Sequence, residues 1–211
     1  MRSMRSLKAM AALCGLAFVA LALAARSTAY LPFDPPVSRA VQSYETDWLH
    51  RVAEAISWLG FPPEVDILVG LLAVGLLLTG RRWEAAGVAV AGAGAGALYL
   101  LVVALVDQPR PSPDLVRVAA SLPTSAFPSG HETVFTAVLG FCGYLGYAES
   151  RARLAGWLSV IGVVLFLLVL GWARLYQGQH WLSELLGGVC LGGFWLVVTI
   201  NLYQRTSRRL G

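Results

Sequence analysis

Six long apolar stretches constrain this chain more than any other feature, because each approaches the length that crosses a bilayer. About 20 apolar residues span the hydrocarbon core as a helix, which satisfies its own backbone hydrogen bonds there. Charged residues make up 13% of the chain, about half of their share in a soluble domain. The sequence therefore predicts an all-α integral membrane protein with six transmembrane helices. They are predicted at residues 7–25, 65–79, 85–106, 131–148, 154–173 and 185–203.

Two of these stretches allow another interpretation. Residues 65–79 form the shortest stretch and carry Asp66 near its start, so a re-entrant or interfacial segment is the alternative there. Residues 1–26 combine basic residues, an apolar run and Ala22-Leu23-Ala24, which also resembles a signal peptide with its cleavage site. We predict a first transmembrane segment at 1–26, an outer amphipathic region at 27–62 and a five-helix core at 63–211.

The region at 27–62 has helical periodicity but too few apolar residues to cross a membrane. Its apolar residues recur at helical spacing with charged residues between them, as in helices that lie along a membrane surface. They are Val37, Val41, Tyr44, Trp48, Val52, Ile56 and Leu59. The pattern predicts one or two interfacial amphipathic helices. Packing over the transmembrane helices is the simpler role for them, and guiding a lipid head group is the alternative.

The basic residues are distributed unevenly over the loops. If the N-terminus is cytoplasmic, the short connections on that side contain Arg81, Arg82, Arg151 and Arg153, and both basic termini lie there too. The loops on the other side are long and nearly neutral. Because cytoplasmic loops are enriched in Lys and Arg, this pattern predicts that both termini are cytoplasmic. It also accounts for the net charge of +4 without a nucleic-acid partner.

Residues able to carry chemistry lie at the ends of these stretches, all on the predicted outer face. Arg110 follows the third stretch, Pro128-Ser129-Gly130-His131 opens the fourth, and Arg174 and His180 lie between the fifth and the sixth. The serine of that motif and Glu132 have the spacing of a capping box, so a helix is predicted to begin there with free backbone amides. A helix start of this kind binds phosphate. The sequence thus predicts an anion site that contains two histidines and two arginines.

In these residues the chain resembles the type 2 phosphatidic acid phosphatase family of membrane phosphatases, whose pocket is shared with bacterial acid phosphatases and vanadium haloperoxidases. The family pattern contains Lys, six residues and Arg-Pro; then Pro-Ser-Gly-His; then Ser-Arg, five residues, His, three residues and Asp. Here the first part is Val103 with Arg110-Pro111, the second is complete, and the third is Ala173-Arg174, His180 and Glu184. The resemblance extends from about residue 64 to residue 203.

The resemblance implies a role for each matching residue. His180 is the expected nucleophile, which would form a phosphohistidine that water later hydrolyses. Glu184 would orient His180 by accepting a hydrogen bond from its far ring nitrogen. His131 would protonate the leaving oxygen and then act as the base on water. The residues expected to hold the phosphoryl oxygens are Arg110, Arg174, Ser129 and, through its amide, Gly130. This scheme requires no metal and no cofactor.

Three positions depart from the family pattern. Val103 replaces a lysine that contacts phosphate in the family, and Gln108 or Arg117 is a candidate to reach the phosphate instead. Glu184 is one methylene longer than the family aspartate, which leaves the position of His180 in question. Ala173 lacks the hydroxyl of the family serine, which is the smallest of the three changes.

The resemblance implies a membrane lipid phosphatase that acts at the outer leaflet, and the composition suits a bacterial inner membrane. The expected substrate is a lipid phosphate or diphosphate, such as polyprenyl diphosphate, phosphatidic acid or phosphatidylglycerol phosphate. Two alternatives remain open. One is a phosphotransferase that passes the same phosphoryl group to an acceptor other than water. The other is a catalytically silent protein that binds lipid head groups, for which Val103 is the best argument.

Overall fold

Helices are the only regular secondary structure in the part of the chain that the structure describes. The computed structural model describes residues 2–120, 122 and 124–210, and the side chains of residues 6–120, 122 and 124–207. These residues form eight α-helices and no strand. The helices are α1 (Arg2–Ser27), α2 (Asp34–Val41), α3 (Asp47–Trp58), α4 (Glu64–Leu78), α5 (Arg82–Leu105), α6 (Gly130–Glu149), α7 (Arg153–Tyr176) and α8 (Leu182–Leu210).

The helix bounds follow the apolar pattern of the sequence closely. A helix covers each of the six predicted stretches, and two short amphipathic helices, α2 and α3, lie in the region at 27–62. In the described residues, four helices are long and apolar enough to cross a membrane: α1, α5, α7 and α8. Helix α4 has 15 residues, and α6 carries several buried polar residues near its start. The chain is an integral membrane protein, and the count of six spans stays a prediction.

Helix α6 is the central helix, packed against α5, α7 and α8. Its contact with α8 is close because two glycines of α8 face its backbone. A Cβ on Gly188 would lie 2.6 Å from the carbonyl oxygen of Ser129, and a Cβ on Gly192 would overlap the carbonyl oxygen of Thr133. Side chains at these positions would force α6 and α8 apart. The two glycines therefore set how closely the start of α6 approaches the start of α8.

The region at 27–62 is tied to the ends of α7 and α8. Ala53 of α3 packs in a buried cluster with Ala173 and Tyr176 of α7. The carboxylate of Asp34, which is fully buried in α2, accepts hydrogen bonds from the Ser183 backbone N–H at 2.9 Å and from the Ser183 hydroxyl at 2.7 Å. These bonds hold α2 against the first turn of α8.

The long connection between α5 and α6 folds back on itself. The Ser125 hydroxyl donates to the carbonyl of Val106 at 2.6 Å and accepts from the N–H of Gln108 at 3.1 Å. The N–H of Ala126 donates to the carbonyl of Gln108 at 2.9 Å. These bonds close the loop, so that the segment after α5 lies beside the start of α6. Arg110 is carried on this segment.

Candidate active site

A cavity of about 480 Å³ lies where α6 begins, α7 ends and the loop before α8 passes. Helices α4 and α5 form its other wall. The cavity brings together five of the residues that the sequence predicts for the site: Arg110, Gly130, His131, Arg174 and His180. Its remaining wall is mainly apolar and includes Phe61, Val65, Tyr99, Leu100 and Val134. The site therefore combines a cluster of basic side chains with a surface suited to hydrocarbon.

His180 is oriented by Glu184. Its Nδ1 lies 2.8 Å from Oε2 of Glu184, and both side chains are buried, with 3% and 0% of their surface exposed. The same carboxylate oxygen accepts the N–H of Trp181 at 3.0 Å. A carboxylate accepts hydrogen bonds only, so this contact assigns the imidazole proton to Nδ1 and leaves the lone pair on Nε2. The longer side chain of Glu184 thus makes the contact that the family aspartate is expected to make.

The electrostatic surroundings keep His180 neutral. Burial lowers the pKa of His180 well below its ordinary value of 6.5, and the positive charges of Arg174 and Arg110 lower it further. The guanidinium Nη1 of Arg110 lies 3.4 Å from Nε2 of His180. At neutral pH the imidazole therefore presents an unprotonated Nε2 beside two cations, as a nucleophile toward a bound phosphoryl group requires.

Backbone carbonyl groups of the surrounding loops hold Arg110. Its Nε donates to the carbonyl of Thr124 at 3.0 Å, and its Nη1 donates to the carbonyl of Gln179 at 2.8 Å. Its Nη2 donates to the Thr124 hydroxyl at 3.0 Å. Burial lowers the pKa of Arg110 from its ordinary value, while the charge of Glu184 raises it. The guanidinium remains a cation at neutral pH, fixed in direction by three groups.

Arg174 has free hydrogen-bond donors. Only 1% of this residue is exposed, and its Nε and Nη1 have no hydrogen-bond partner among the described residues. Its guanidinium carbon lies 5.1 Å from the ring centroid of Phe61. A buried cation with unused donors is costly unless an anion satisfies it. Because Arg174 lines the cavity, its free donors mark the cavity as an anion site.

His131 is held by the end of α3. Its Nε2 lies 2.8 Å from the carbonyl oxygen of Ser57, and Phe61 contacts the ring edge-on at a centroid distance of 4.7 Å. A Cβ on Gly60 would overlap the imidazole. The region at 27–62 therefore does more than cover the helices, because it fixes one of the two histidines of the cavity. These contacts were not predictable from the sequence, since no motif marks a backbone carbonyl.

The start of α6 forms only half of the predicted capping box. The Ser129 side chain accepts from the N–H of Glu132 at 3.5 Å, as an N-cap does. The carboxylate of Glu132 does not return to Ser129, and both of its oxygens lack a hydrogen-bond partner in the described part of the chain. The Ser129 N–H instead donates to the carbonyl of Glu184 at 3.1 Å. Ser129 is fully buried beneath the cavity, whereas Gly130 lines it.

The structure directs both candidate replacements for the family lysine away from the cavity. The amide nitrogen of Gln108 donates to the carbonyl of Ala29 at 3.2 Å. Arg117 forms an ion pair with Glu45 at 2.6 Å. Neither side chain is among the described residues that line the cavity, and neither is Val103. In this structure, Gln108 and Arg117 are therefore not placed to contact a group bound in the cavity.

Tyr99 also lines the cavity, although it is not among the residues predicted for the site. Tyr99 lies one helical turn before Val103 in α5, on the same side of the helix. Its position relative to the motif was the available signal, because residues four apart share a helix face.

Comparison with known proteins gives the same picture of the fold. The family model for the PAP2 superfamily matches residues 84–208, which is more than half of the chain and includes every candidate site residue. Phosphatidylglycerophosphatase B of Bacillus subtilis (strain 168) is 24% identical over 181 residues, which covers 83% of this chain and 85% of the relative.

Two solved structures share the arrangement of helices. The crystal structure of a transmembrane PAP2-type phosphatidylglycerolphosphate phosphatase from Bacillus subtilis matches with a TM-score of 0.82 at 20% identity, covering 95% of this chain and 98% of that one. The crystal structure of LpxE from Aquifex aeolicus matches with a TM-score of 0.65 at 16% identity, covering 81% of this chain and 96% of that one. At these identities the matches show the fold.

Proposed function

This chain belongs to the PAP2 superfamily, and on that premise we propose that it is a membrane lipid phosphatase that forms a phosphohistidine on His180. One observation carries the proposal. His180, with its Nδ1 bonded to Glu184, opens its Nε2 into a cavity that also holds two arginines and a second histidine. A nucleophile, an acid or base and an anion-binding cluster thus share one space, as phosphoryl transfer requires.

In the first step, Nε2 of His180 attacks phosphorus, and the bond between phosphorus and the lipid oxygen breaks. His131 gives a proton to that oxygen as it leaves. Because the Nε2–H of His131 donates to the Ser57 carbonyl, the leaving oxygen takes its proton from Nδ1, so His131 enters this step protonated on both ring nitrogens and leaves it neutral. In the second step, water attacks phosphorus, Nδ1 of His131 takes a proton from the water, and the bond between phosphorus and nitrogen breaks. Phosphate leaves, and His180 is restored as a neutral imidazole.

The phosphoryl oxygens are held by the guanidinium groups of Arg174 and Arg110 and by the backbone N–H of Gly130. Arg174 contributes the donors that are unused in the structure, and Gly130 opens helix α6, where the free amides favour an anion. A hydrogen bond to a charged group contributes about 1.5–3 kcal/mol, so the two arginines together stabilise the bound phosphoryl group substantially. We propose that catalysis needs no metal ion.

The substrate proposed is a lipid that carries a phosphate monoester or a diphosphate. Val65 of α4, Leu100 of α5 and Val134 of α6 give the cavity apolar surface, against which a lipid chain would lie. Phosphatidylglycerol phosphate ranks first among the candidates because the similar proteins from Bacillus subtilis carry that substrate in their names. Phosphatidic acid and polyprenyl diphosphate follow.

We propose that the protein lies in a bacterial inner membrane with the cavity at the outer leaflet. The arginine-rich connections between α4 and α5 and between α6 and α7 lie at the opposite end of these helices from the cavity. Cytoplasmic loops are enriched in such residues. Both termini are then cytoplasmic.

Purified protein in lipid nanodiscs tests the function when it is offered phosphatidylglycerol phosphate, phosphatidic acid and polyprenyl diphosphate separately. We expect phosphate release that survives excess EDTA and falls at least about 1000-fold in His180→Ala, because the covalent route is lost. Protein quenched in an alkaline denaturant is expected to carry an acid-labile phosphoryl group that His180→Ala lacks. Release that needs an added acceptor would identify a phosphotransferase, and binding without turnover would identify a silent lipid-binding protein.

A further inference from the structure

The absence of the family lysine leaves a position near the phosphoryl group without a donor. Val103 stands at the lysine position and does not line the described cavity. We propose that Tyr99 fills this position, and that its phenol hydroxyl donates a hydrogen bond to the phosphoryl group of the bound lipid. The inference rests on the proposed function, because it assumes that a phosphoryl group occupies this cavity.

The ring of Tyr99 lies beside the start of α6. Tyr99 lines the cavity together with both histidines and both arginines. A Cβ built on Gly130 would lie 3.0 Å from Cζ of Tyr99 and 3.1 Å from Cε2. The end of the ring that carries the hydroxyl therefore lies against the first residue of α6. The backbone N–H of Gly130 is one of the groups proposed to hold the phosphoryl oxygens, so the hydroxyl is close to the same anion.

The hydroxyl of Tyr99 is free to bind a ligand. No hydrogen bond joins it to another residue in the described ranges, whereas the hydroxyls of Tyr144 and Tyr203 are both bonded. A tyrosine hydroxyl on a largely apolar wall normally finds a partner. Tyr99 also interacts electrostatically with the guanidinium groups of Arg110 and Arg174, so it lies close to the two cations that would hold the ligand.

Tyr99 also has a suitable position in α5. Tyr99 precedes Val103 by four residues, so both lie on one face of the helix. A lysine at 103 has a long flexible stem that reaches back along this face, and an aromatic ring one turn earlier places a donor in the same space with less conformational freedom to lose. The exchange substitutes a neutral donor for a cation.

Four variants test the proposal: Tyr99→Phe, Val103→Lys, the double variant, and Tyr147→Phe as the matched control. Tyr147 lies at the far end of α6, half-exposed and stacked edge-on against Trp157. We expect Tyr99→Phe to lower kcat/KM by about 10- to 100-fold, the range for one hydrogen bond to a charged group. Tyr147→Phe is expected to match the wild type. Val103→Lys is expected to change the wild type little and to restore at least about 10-fold in Tyr99→Phe.

Inhibition by inorganic phosphate separates a contact with the phosphoryl group from a contact with the lipid chain. Inorganic phosphate has no chain, so a weaker inhibition constant in Tyr99→Phe supports the proposal. A raised KM for the lipid with unchanged phosphate inhibition would show that Tyr99 only shapes the apolar wall, and the proposal would be rejected. Failure of Val103→Lys to rescue Tyr99→Phe would reject the idea that the two positions share one function.

Calorimetric titration with inorganic phosphate keeps this test apart from that of the proposed function. If the wild type binds phosphate through Tyr99 but turns over no lipid, the proposed function fails and the contact stands. If the wild type is active and Tyr99→Phe is unchanged in both assays, the contact fails and the proposed function stands. If the wild type neither binds phosphate nor turns over lipid, both fail.

Discussion

The two histidines of the cavity are held in opposite ways. His180 is held by Glu184, a side chain four residues further along the same segment, at 2.8 Å. His131 is held by the carbonyl of Ser57, which is 74 positions earlier in the chain, also at 2.8 Å. The first contact depends on the identity of one side chain, and the second depends on where a stretch of backbone lies. The two therefore respond to different kinds of mutation.

We expect the largest loss of kcat when the local contact between His180 and Glu184 is broken. Glu184→Gln keeps the shape of the side chain but offers an amide, which no longer fixes the proton on Nδ1 of His180. In the serine protease triad, the equivalent change costs about 10⁴-fold in kcat through the wrong tautomer. We expect kcat here to fall about 1000-fold, measured as steady-state phosphate release.

Glu184→Asp sharpens the test of the local contact, because it retains the carboxylate and restores the family residue. Its kcat should lie between those of the wild type and Glu184→Gln. Equal rates in Glu184→Gln and the wild type would mean that the contact with Glu184 does not orient His180 during the reaction.

We expect a smaller loss of kcat when the contact between His131 and the Ser57 carbonyl is broken. Gly60→Ala adds a methyl group that overlaps the imidazole of His131, so the ring must leave the Ser57 carbonyl. General acid catalysis contributes about 10²- to 10⁴-fold, and a displaced acid loses part of it, so we expect kcat to fall about 100-fold.

Gly162→Ala is the matched control for Gly60→Ala, because a Cβ at Gly162 in α7 meets nothing within 4 Å. It should retain wild-type kcat. Both variants should elute as the same monodisperse peak in size-exclusion chromatography. Full activity in Gly60→Ala would contradict the assignment of a positioning role to the end of α3.

The smallest effect concerns charge at His180. Its lowered pKa means that the imidazole stays neutral as the pH falls through 6.5, and removal of the cation in Arg110→Gln should raise this pKa. The chain has only three histidines, so NMR of histidine-labelled protein can follow each ring, with His180→Ala identifying its signal. We expect the His180 signal to titrate well below pH 6.5 in the wild type and at higher pH in Arg110→Gln. An unchanged titration would show that Arg110 does not act on this ring.

Much of the fold was predictable because the membrane imposes it. The apolar stretches must form helices, and the structure places a helix at each of them. The short helix α4 and the polar start of α6 show where this argument weakens, since neither is identified by length and hydropathy alone. Gly188 and Gly192 also stand four residues apart, a spacing that allows close helix packing, and α6 and α8 approach each other there.

The candidate site was predictable to the extent that it is encoded in side chains at fixed spacing. The motif placed Arg110, His131, Arg174 and His180 together, and the structure brings all four to one cavity. It could not reveal the carbonyl of Ser57, since every residue carries a carbonyl. The spacing of Tyr99 from Val103 was a pointer to it, but the sequence could not show that Gln108 and Arg117 turn away from the cavity, because that depends on how the helices and loops pack.

The bond between Asp34 and Ser183 has a consequence for how the pocket is assembled. It holds one part of the region at 27–62 beside the segment that carries His180. Ser57, in the same region, contacts His131 at the start of α6. The region at 27–62 therefore connects two sides of the cavity. A mutation that detached this region would displace the nucleophile His180 and the proton donor His131 together.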